Sequence, residues 1–375
     1  MNDDNPKEQR CEYQRGNFSP LRSTGYGIGC HWTTDTMPRV GPRQPYRKAV
    51  ESFDVAAFVE QVVDAGAGHV LFTATHSRHY LPGPNPEVDR ILPGRTCERD
   101  LLMEIADALA QAGICLILYY HHNTDGEHQD PGWQRAVGSL ERDQARFYDN
   151  YCRIVGWMGE HYGHKATAFW FDAGYGLLRR GAVPWPRMTA AAKAGYPQRL
   201  VCYNSGLENH ECYTSCQDFW AGEVCRLNYR PRGLLTPAGL PWYSFLDWHP
   251  HVQLWPSCGQ WIMDALARDR DWSAPPAESI VDYVRSFQLA GGTATINLLC
   301  YQDGTVYEPD LAVMSVVKQV LRRIPPALSG HPLMGLRKSS EPAPDRLVKP
   351  RVASVASSRT EYAADNPLGE RGSIS

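Results

Sequence analysis

Short apolar runs alternate with longer amphipathic segments along residues 25–325 of this 375-residue chain. The apolar runs have the length of strands and are nearly continuous, which is typical of parallel strands buried on both faces. The segments between them repeat apolar residues every three or four positions, which predicts helices. The predicted strands cover 25–32, 69–76, 114–122, 167–174, 199–206, 218–224, 241–249 and 293–301.

Amphipathic segments that follow the apolar runs predict the helices between the strands. Asp54 is placed to cap the first of them, and Gly66 and Gly113 stand where the first two should end. Strands that alternate with helices in this way predict a (β/α)8 barrel of the TIM type. The pattern also fits an open doubly wound sheet, but GYGIG near the first strand lacks the spacing of a dinucleotide fingerprint. The clearest helical segments are 53–66, 98–113, 146–163 and 308–324.

Composition changes at both ends of the alternating region. After about residue 336 the chain is rich in Lys, Ser, Pro, Ala, Arg and Asp and poor in apolar residues, which favours disorder. We therefore expect a disordered segment at 1–20, a single catalytic barrel at 21–335 and a disordered tail at 336–375. No room is left for a C-terminal β-sandwich.

The charge balance and the cysteines narrow the range of partners and compartments. A net charge of −3 offers no basic surface for nucleic acid or an anionic membrane. No stretch approaches the roughly 20 apolar residues that span a bilayer, and the N-terminus lacks a secretory pattern. The odd number of cysteines, with Cys115 and Cys300 inside apolar runs, favours buried thiols over a disulfide framework. A cytoplasmic location is therefore expected.

Polar side chains stand at the ends of the predicted strands. Because the active site of a (β/α)8 barrel is built at the carboxyl ends of its strands, we expect these groups to share one pocket. Their imidazole, carboxylate and amide groups suit a polyhydroxylated ligand, so a carbohydrate is the expected partner. They are His31, His76, His121 with His122, Asp172, Asn204, Glu223, Asp247 with His249, and Asn297.

Asp172 and Glu223 are the two carboxylates of greatest interest, because each ends a strand that carries aromatic residues. A retaining glycosidase needs one carboxylate to attack the anomeric carbon and another, with a raised pKa, to protonate the leaving oxygen. The two strands are separated by one other strand, so such an approach is possible. The structural alternative is that Asp172 caps the following segment and Glu223 pairs with Arg226.

Two groups of side chains could bind a metal ion, one of cysteines with a histidine and one of histidines alone. No CxxC pair supports the cysteine group. The HxH pair of the histidine group falls on the seventh strand rather than the first. No cofactor is therefore expected, and a metal-dependent hydrolase is the lesser alternative. The groups are Cys212, Cys216 and Cys225 with His210, and His121, His122 and His249 with His251.

Six segments between residues 25 and 324 resemble, in order, motifs of glycoside hydrolase family 29, the retaining α-L-fucosidases. WFDAG at 170–174 is similar to the W-F-D-G of the family's nucleophile strand. GYGIGCHW at 25–32 is similar to the family's G-I-F-x-H-W. The resemblance implies a (β/α)8 barrel that cleaves an α-L-fucoside or a related glycoside. The other segments are DAGAGHVLFTATHSRHY, ERDLLMEIADALAQAGICLILYY, SCQDFWAGEV and GGTATINLLCYQDGTVYEPD.

The resemblance also implies roles for individual residues. Asp172 takes the place of the nucleophile that forms a covalent glycosyl–enzyme intermediate, and Glu223 takes that of the acid/base found in some members. The position of the acid/base varies across the family. The residues expected to bind the sugar are His31, Trp32, His76, Tyr120, His121, Trp170, Asn204 and Trp248.

The chain departs from the family pattern around the sugar. Ser77 follows His76 where the family has a second histidine, and Asn204, Ser205 and Gly206 replace the N-D-R of the fifth strand. Lost hydrogen-bond partners in a polar pocket change the discrimination between substrates by orders of magnitude. The alternatives are therefore a sugar related to fucose, or a carbohydrate-binding barrel that has lost turnover.

Overall fold

A sheet of eight parallel strands forms the centre of the protein. The computed structural model describes residues 13–76, 78–122, 130–249, 259–270, 272 and 275–322. Every strand lies at one of the predicted apolar runs, so the predicted strands are confirmed. They are β1 (Tyr26–Cys30), β2 (His69–Thr75), β3 (Cys115–His121), β4 (Ala166–Asp172), β5 (Leu200–Tyr203), β6 (Glu223–Val224), β7 (Tyr243–Leu246) and β8 (Thr293–Leu298).

Helices connect most of these strands, and the four clearest predicted helices are confirmed as α3, α5, α7 and α12. The side chain of Asp54 accepts the N–H of Ala57 at 2.9 Å, so Asp54 caps α3 as predicted. The helices of the described residues are α1 (Ser19–Ser23), α2 (Tyr46–Ser52), α3 (Val55–Asp64), α4 (Pro86–Ile91), α5 (Leu101–Gln111), α6 (Pro131–Val137), α7 (Ala145–Tyr162), α8 (Gly174–Leu178), α9 (Trp185–Ala192), α10 (Ala265–Arg268), α11 (Ala277–Leu289) and α12 (Glu308–Arg322).

The strand order is that of a (β/α)8 barrel. Hydrogen-bonded neighbours run β5-β4-β3-β2-β1-β8-β7-β6, so the first and last strands pair, which an open doubly wound sheet does not allow. Asp218 joins β5 to the segment that leads into β6. Its N–H donates to the carbonyl of Val201 at 2.7 Å, and its Oδ2 accepts the N–H of Val201 at 2.8 Å. The predicted barrel is confirmed.

Side chains alternate between the barrel interior and the layer beneath the helices. In β4, Trp170 belongs to the interior cluster, whereas Phe169 and Phe171 pack in the outer cluster. Phe18, which precedes α1, joins the interior cluster with its ring centroid 5.7 Å from that of Phe219. Phe18 thus packs against the barrel although it precedes the predicted boundary at residue 21. Residues 1–12 and the predicted tail at 336–375 lie outside the described residues.

Two cysteines at the ends of neighbouring strands are joined. Cys30 of β1 and Cys300, which follows β8, form a disulfide with their Cα atoms 6.1 Å apart. Cys300 is buried as expected, but it is not the free thiol that its apolar surroundings suggested. None of the described helices is long and apolar enough to cross a bilayer. The cytoplasmic location stays a prediction.

Candidate active site

Asp172 and Glu223 are linked through one side-chain amide. Asn204 Nδ2 donates to Asp172 Oδ1 at 2.8 Å and to Glu223 Oε2 at 2.7 Å. Because both oxygens bond to the same nitrogen, they are no more than about 5.5 Å apart, which is closer than the carboxyl pair of inverting glycosidases and compatible with that of retaining ones. Asn204 directly follows β5, the strand between β4 and β6, so the barrel order makes this bridge possible.

Three donors orient the carboxylate of Asp172. Besides Asn204, the hydroxyl of Tyr119 donates to Oδ2, and the N–H of Ala173 donates to Oδ1 at 2.6 Å. The indole of Trp170 lies one layer deeper, stacked on Tyr119 with a centroid distance of 5.3 Å. Asp172 does not occupy the capping position of α8, which is Ala173, and at that end of the helix its side chain bonds to the N–H of Ala173 itself. These three hydrogen bonds hold the partly exposed carboxylate in one orientation at the pocket.

Glu223 lies in surroundings that favour its protonated form. Burial, and next the charge of Asp172, raise the pKa of Glu223 to about 7, although the hydrogen bond from Asn204 opposes the rise. Arg226 does not pair with it, since that guanidinium is bonded to Glu208 instead. A carboxyl group that exchanges its proton near neutral pH is suited to general acid and base catalysis.

The alternation of β3 brings Tyr119 rather than Tyr120 to the carboxylates. Tyr119 pairs in register with Trp170, and His121 with Asp172, so these side chains share the inner face. Tyr120 points outward, where its hydroxyl lies 3.1 Å from His79 Nε2. Tyr120 and His121 are adjacent, so they could not both face the pocket. The sequence therefore allows Tyr119 with His121, or Tyr120 alone, and the pairing with β4 decides for Tyr119.

Three predicted histidines lie together beside Asp172. The ring of His76 lies 4.9 Å from that of His121, and the ring of His31 lies 4.6 Å from that of Tyr119. Burial lowers the pKa of His31 to about 4, so its imidazole is neutral at ordinary pH. A neutral ring both donates and accepts a hydrogen bond, as sugar hydroxyls require.

Two predicted tryptophans are not brought to the pocket. Trp32 packs in the outer layer, edge-on against Phe53 at 5.4 Å. Trp248 lies in the same outer cluster, next to His249 at 5.1 Å. Indoles at these positions stabilise the packing of the barrel rather than presenting a face to the carboxylates.

Asp247, one of the strand-end groups expected in the pocket, was given no part in catalysis or sugar binding, and Trp261 was not predicted to lie there at all. Asp247 comes directly before Trp248 and is buried, and one of its oxygens has no hydrogen-bond partner. Burial, and next the charge of Glu223, raise the pKa of Asp247 well above its usual value. Trp261 stacks on His76 with a centroid distance of 4.7 Å. The strand-end position of Asp247 indicated the pocket from the sequence, but no local pattern indicates Trp261.

One group of side chains has the geometry to hold a cation. Donor atoms of His76, His121 and Asp172 all lie within 4.8 Å of one another. Two imidazoles and a carboxylate fit a divalent transition metal, which would then occupy the carboxylate of Asp172. Within the part of the chain that the structure describes, no other such group forms, so the cysteines near His210 do not assemble. His251 lies outside the described residues.

Sequence comparison decides the family. A sequence model of the α-L-fucosidase family matches residues 24–223, which is more than half of the chain. The chain belongs to the α-L-fucosidase family. It is a glycosidase with the catalytic barrel of that family. None of the curated proteins matches it.

Solved structures of the same fold include fucosidases and related hydrolases. The α-L-fucosidase isoenzyme 1 from Paenibacillus thiaminolyticus is 19% identical over 81% of this chain and 75% of that chain, with a TM-score of 0.59. An endo-fucoidan hydrolase of glycoside hydrolase family 107 is 14% identical over 81% and 93%, with a TM-score of 0.57. The α-L-fucosidase AlfC from Lactobacillus casei, in complex with α-L-fucose, is 16% identical over 82% and 100%, with a TM-score of 0.55. At these identities the likeness concerns the fold.

This α-L-fucosidase family member has alanine where the family's nucleophile strand continues with glycine. Ala173 has φ 59° and ψ 32°, a left-handed conformation that costs a residue with a Cβ about 1–2 kcal/mol. We expect Ala173→Gly to raise the free energy of unfolding by about 0.5–1 kcal/mol, because relief of this strain exceeds the cost of the greater freedom of glycine in the unfolded chain. Urea denaturation monitored by fluorescence measures the change.

The matched control for Ala173 is Ala110, an exposed residue with helical geometry in α5. Ala110→Gly should lower the free energy of unfolding by about 1 kcal/mol. Destabilisation of the same size in both variants would mean that Ala173 carries no strain.

Proposed function

We propose that this glycosidase hydrolyses an α-L-fucoside, or a closely related glycoside, with retention of configuration through a covalent intermediate on Asp172. The observation that carries the proposal is the amide of Asn204, which bonds to one oxygen of Asp172 and one of Glu223. This bridge keeps the two oxygens within about 5.5 Å of each other, which supports a double displacement over an inverting reaction, whose carboxyl groups lie about 6.5–9.5 Å apart.

In the first step, Asp172 attacks the anomeric carbon while Glu223 gives its proton to the departing glycosidic oxygen. Asp172 is oriented for attack by Tyr119, Asn204 and the N–H of Ala173. The bond from the anomeric carbon to the aglycone breaks as the ester bond to Asp172 forms. Glu223 is protonated for this step below pH 7, because burial and the charge of Asp172 raise its pKa to about 7.

In the second step, Glu223 acts as a base. Once Asp172 is an ester it carries no charge, so one cause of the raised pKa of Glu223 disappears. Glu223, which gave up its proton in the first step, is therefore more stable as a carboxylate and accepts a proton from the attacking water, which restores its acid form. That water attacks the anomeric carbon, releases the sugar and restores the carboxylate of Asp172.

The substrate class is tested with nitrophenyl α- and β-glycosides of L-fucose, L-galactose, D-arabinose and L-rhamnose. We expect the α-L-fucoside or its closest stereochemical relative to react fastest, with activity unaffected by a chelator. Proton NMR of the first product should show the anomer of the substrate. Initial release of the opposite anomer would contradict the retaining mechanism.

A carbohydrate-binding barrel without turnover is the second candidate. The replacement of the family's N-D-R by Asn204, Ser205 and Gly206 favours it, because an arginine that would hold the sugar is lost. Calorimetry that detects fucose binding while no glycoside of the panel is hydrolysed would support this candidate over the enzyme.

Asn204→Ala should lower kcat by about 10- to 100-fold, because the carboxyl groups lose the donor that fixes their separation. The hydrogen bond from Asn204 lowers the pKa of Glu223, so its removal should also move the alkaline limb of the pH–rate profile to higher pH. Steady-state kinetics between pH 5 and 9 measure both effects.

The control is Asn150→Ala, which removes a buried amide bonded to the carbonyl of Val137 in another part of the barrel. This variant should lose stability without any displacement of the pH profile. A limb that moves equally in both variants would show that Asn204 acts through stability alone.

A further inference from the structure

A second pocket, of about 590 Å³, opens on the segment that follows β6. Neither Asp172 nor Glu223 lines it. Three arginines, an asparagine and two aromatic residues supply most of its chemistry: Arg226, Asn228, Arg230, Arg232, Tyr229 and Trp242.

Positive charge is concentrated in this pocket. Arg226, Asn228, Arg230 and Arg232 are all exposed, at every second position of the segment, while the residues between them are partly covered. Arg226 pairs with Glu208, but no described carboxylate lies within 4.0 Å of Arg230 or Arg232. In a chain of net charge −3, two neighbouring arginines without an acidic partner form a local site for an anion.

The protein holds one of these guanidinium groups in place. Arg230 Nη1 donates to the carbonyls of Leu227 at 2.6 Å and Tyr229 at 2.8 Å. The same guanidinium lies 6.0 Å from the ring centroid of Tyr283. Because Nη1 is fixed, the side chain loses little further freedom when Nη2 and Nε bind a ligand.

Aromatic and amide groups line the rest of the pocket. Tyr229 is fixed by a hydrogen bond of 2.5 Å between its hydroxyl and His210 Nε2, and its ring stacks on Phe287. Trp242 is buried and donates to the carbonyl of Gly233. The exposed Asn228 offers an amide. Such a lining adds an apolar surface and hydroxyl partners to the charge of the arginines.

We propose that this pocket binds an oxyanion (a sulfate ester, phosphate ester or carboxylate) carried by a sugar. The planar guanidinium of arginine pairs with two oxygens of such a group, and the aromatic and amide lining suits the attached ring. The site is additional to the catalytic carboxylates, and its ligand need not be the glycoside that is cleaved.

The test is calorimetry on the whole protein with glucose 6-sulfate, glucose 6-phosphate, glucuronate and glucose. We expect at least one charged sugar to bind, glucose to bind at least tenfold more weakly, and affinity to fall as salt is added. The charged sugar that binds most tightly identifies the anion. Equal binding of glucose and all three charged sugars would overturn the proposal.

Arginine substitutions test whether the charged sugar binds in this pocket. The double variant Arg230→Ala with Arg232→Ala should weaken binding of the charged sugar at least tenfold, while hydrolysis of a nitrophenyl fucoside stays unchanged. The control is Arg187→Ala, which removes an exposed arginine paired with Asp149 and should leave binding intact. Unchanged binding in the double variant would refute the pocket. Inorganic sulfate that binds as tightly as the sugar sulfate would refute the role of the sugar ring.

Discussion

Asp172→Gly is expected to lower kcat by at least about 10⁴-fold, because it removes the group that attacks the anomeric carbon. The fold should survive, since Asp172 is partly exposed and water can take the place of its carboxylate as a hydrogen-bond partner. Hydrolysis of nitrophenyl α-L-fucoside measures the loss, and the melting temperature verifies folding.

External azide provides the decisive readout on Asp172. In Asp172→Gly the side chain is absent, so azide can take its place and attack the anomeric carbon while Glu223 still protonates the leaving group. We expect a glycosyl azide of inverted configuration, identified by mass spectrometry and NMR. Wild-type activity in this variant would rule out Asp172 as the nucleophile.

The rate loss caused by Glu223→Ala is expected to depend on the leaving group of the substrate. Hydrolysis of a natural disaccharide should fall by about 10³-fold or more, because its poor leaving group needs a proton. A dinitrophenyl glycoside, which leaves without protonation, should form the glycosyl–enzyme about as fast as in the wild type. Pre-steady-state bursts with both substrates distinguish the two effects. Equal losses would argue against the acid role.

The dependence of kcat/KM on pH tests the acid role of Glu223 independently. Glu223 must carry a proton in the first step, and burial and the charge of Asp172 raise its pKa to about 7. Wild-type kcat/KM should therefore be high below that pH and fall as the pH rises through about 7. Glu223→Ala should abolish this limb in the residual hydrolysis of the natural disaccharide, whereas the dinitrophenyl glycoside should lack the limb with both enzymes. The stability control is Glu104→Ala, which removes an exposed partner of Arg99 and should leave the limb in place.

Adjacent residues in and after β3 and β7 face opposite sides, and the sequence alone does not show which of them face the pocket. In β3 and β7 both faces are apolar, so the pattern locates the strand but does not say which alternate residues face inward. Tyr120 and Trp248 were predicted to reach the pocket, whereas Tyr119 and Asp247 face it. A shift of one residue moves every side chain to the opposite face of the strand. Only pairing with the adjacent strands determines which of the two alternating sets faces the barrel interior.

The sequence by itself determined the positions of the eight strands, and it predicted that Asp172 and Glu223 stand at strand ends, because these features follow from local periodicity. The pattern favoured a barrel, but only the pairing of β1 with β8 in the tertiary structure distinguished it from an open sheet. Only the tertiary structure revealed the amide of Asn204 that joins those carboxylates. It also decided the bond between Cys30 and Cys300, which are 270 residues apart. Such contacts depend on distances between strands that are far apart in the chain, and no local pattern encodes them.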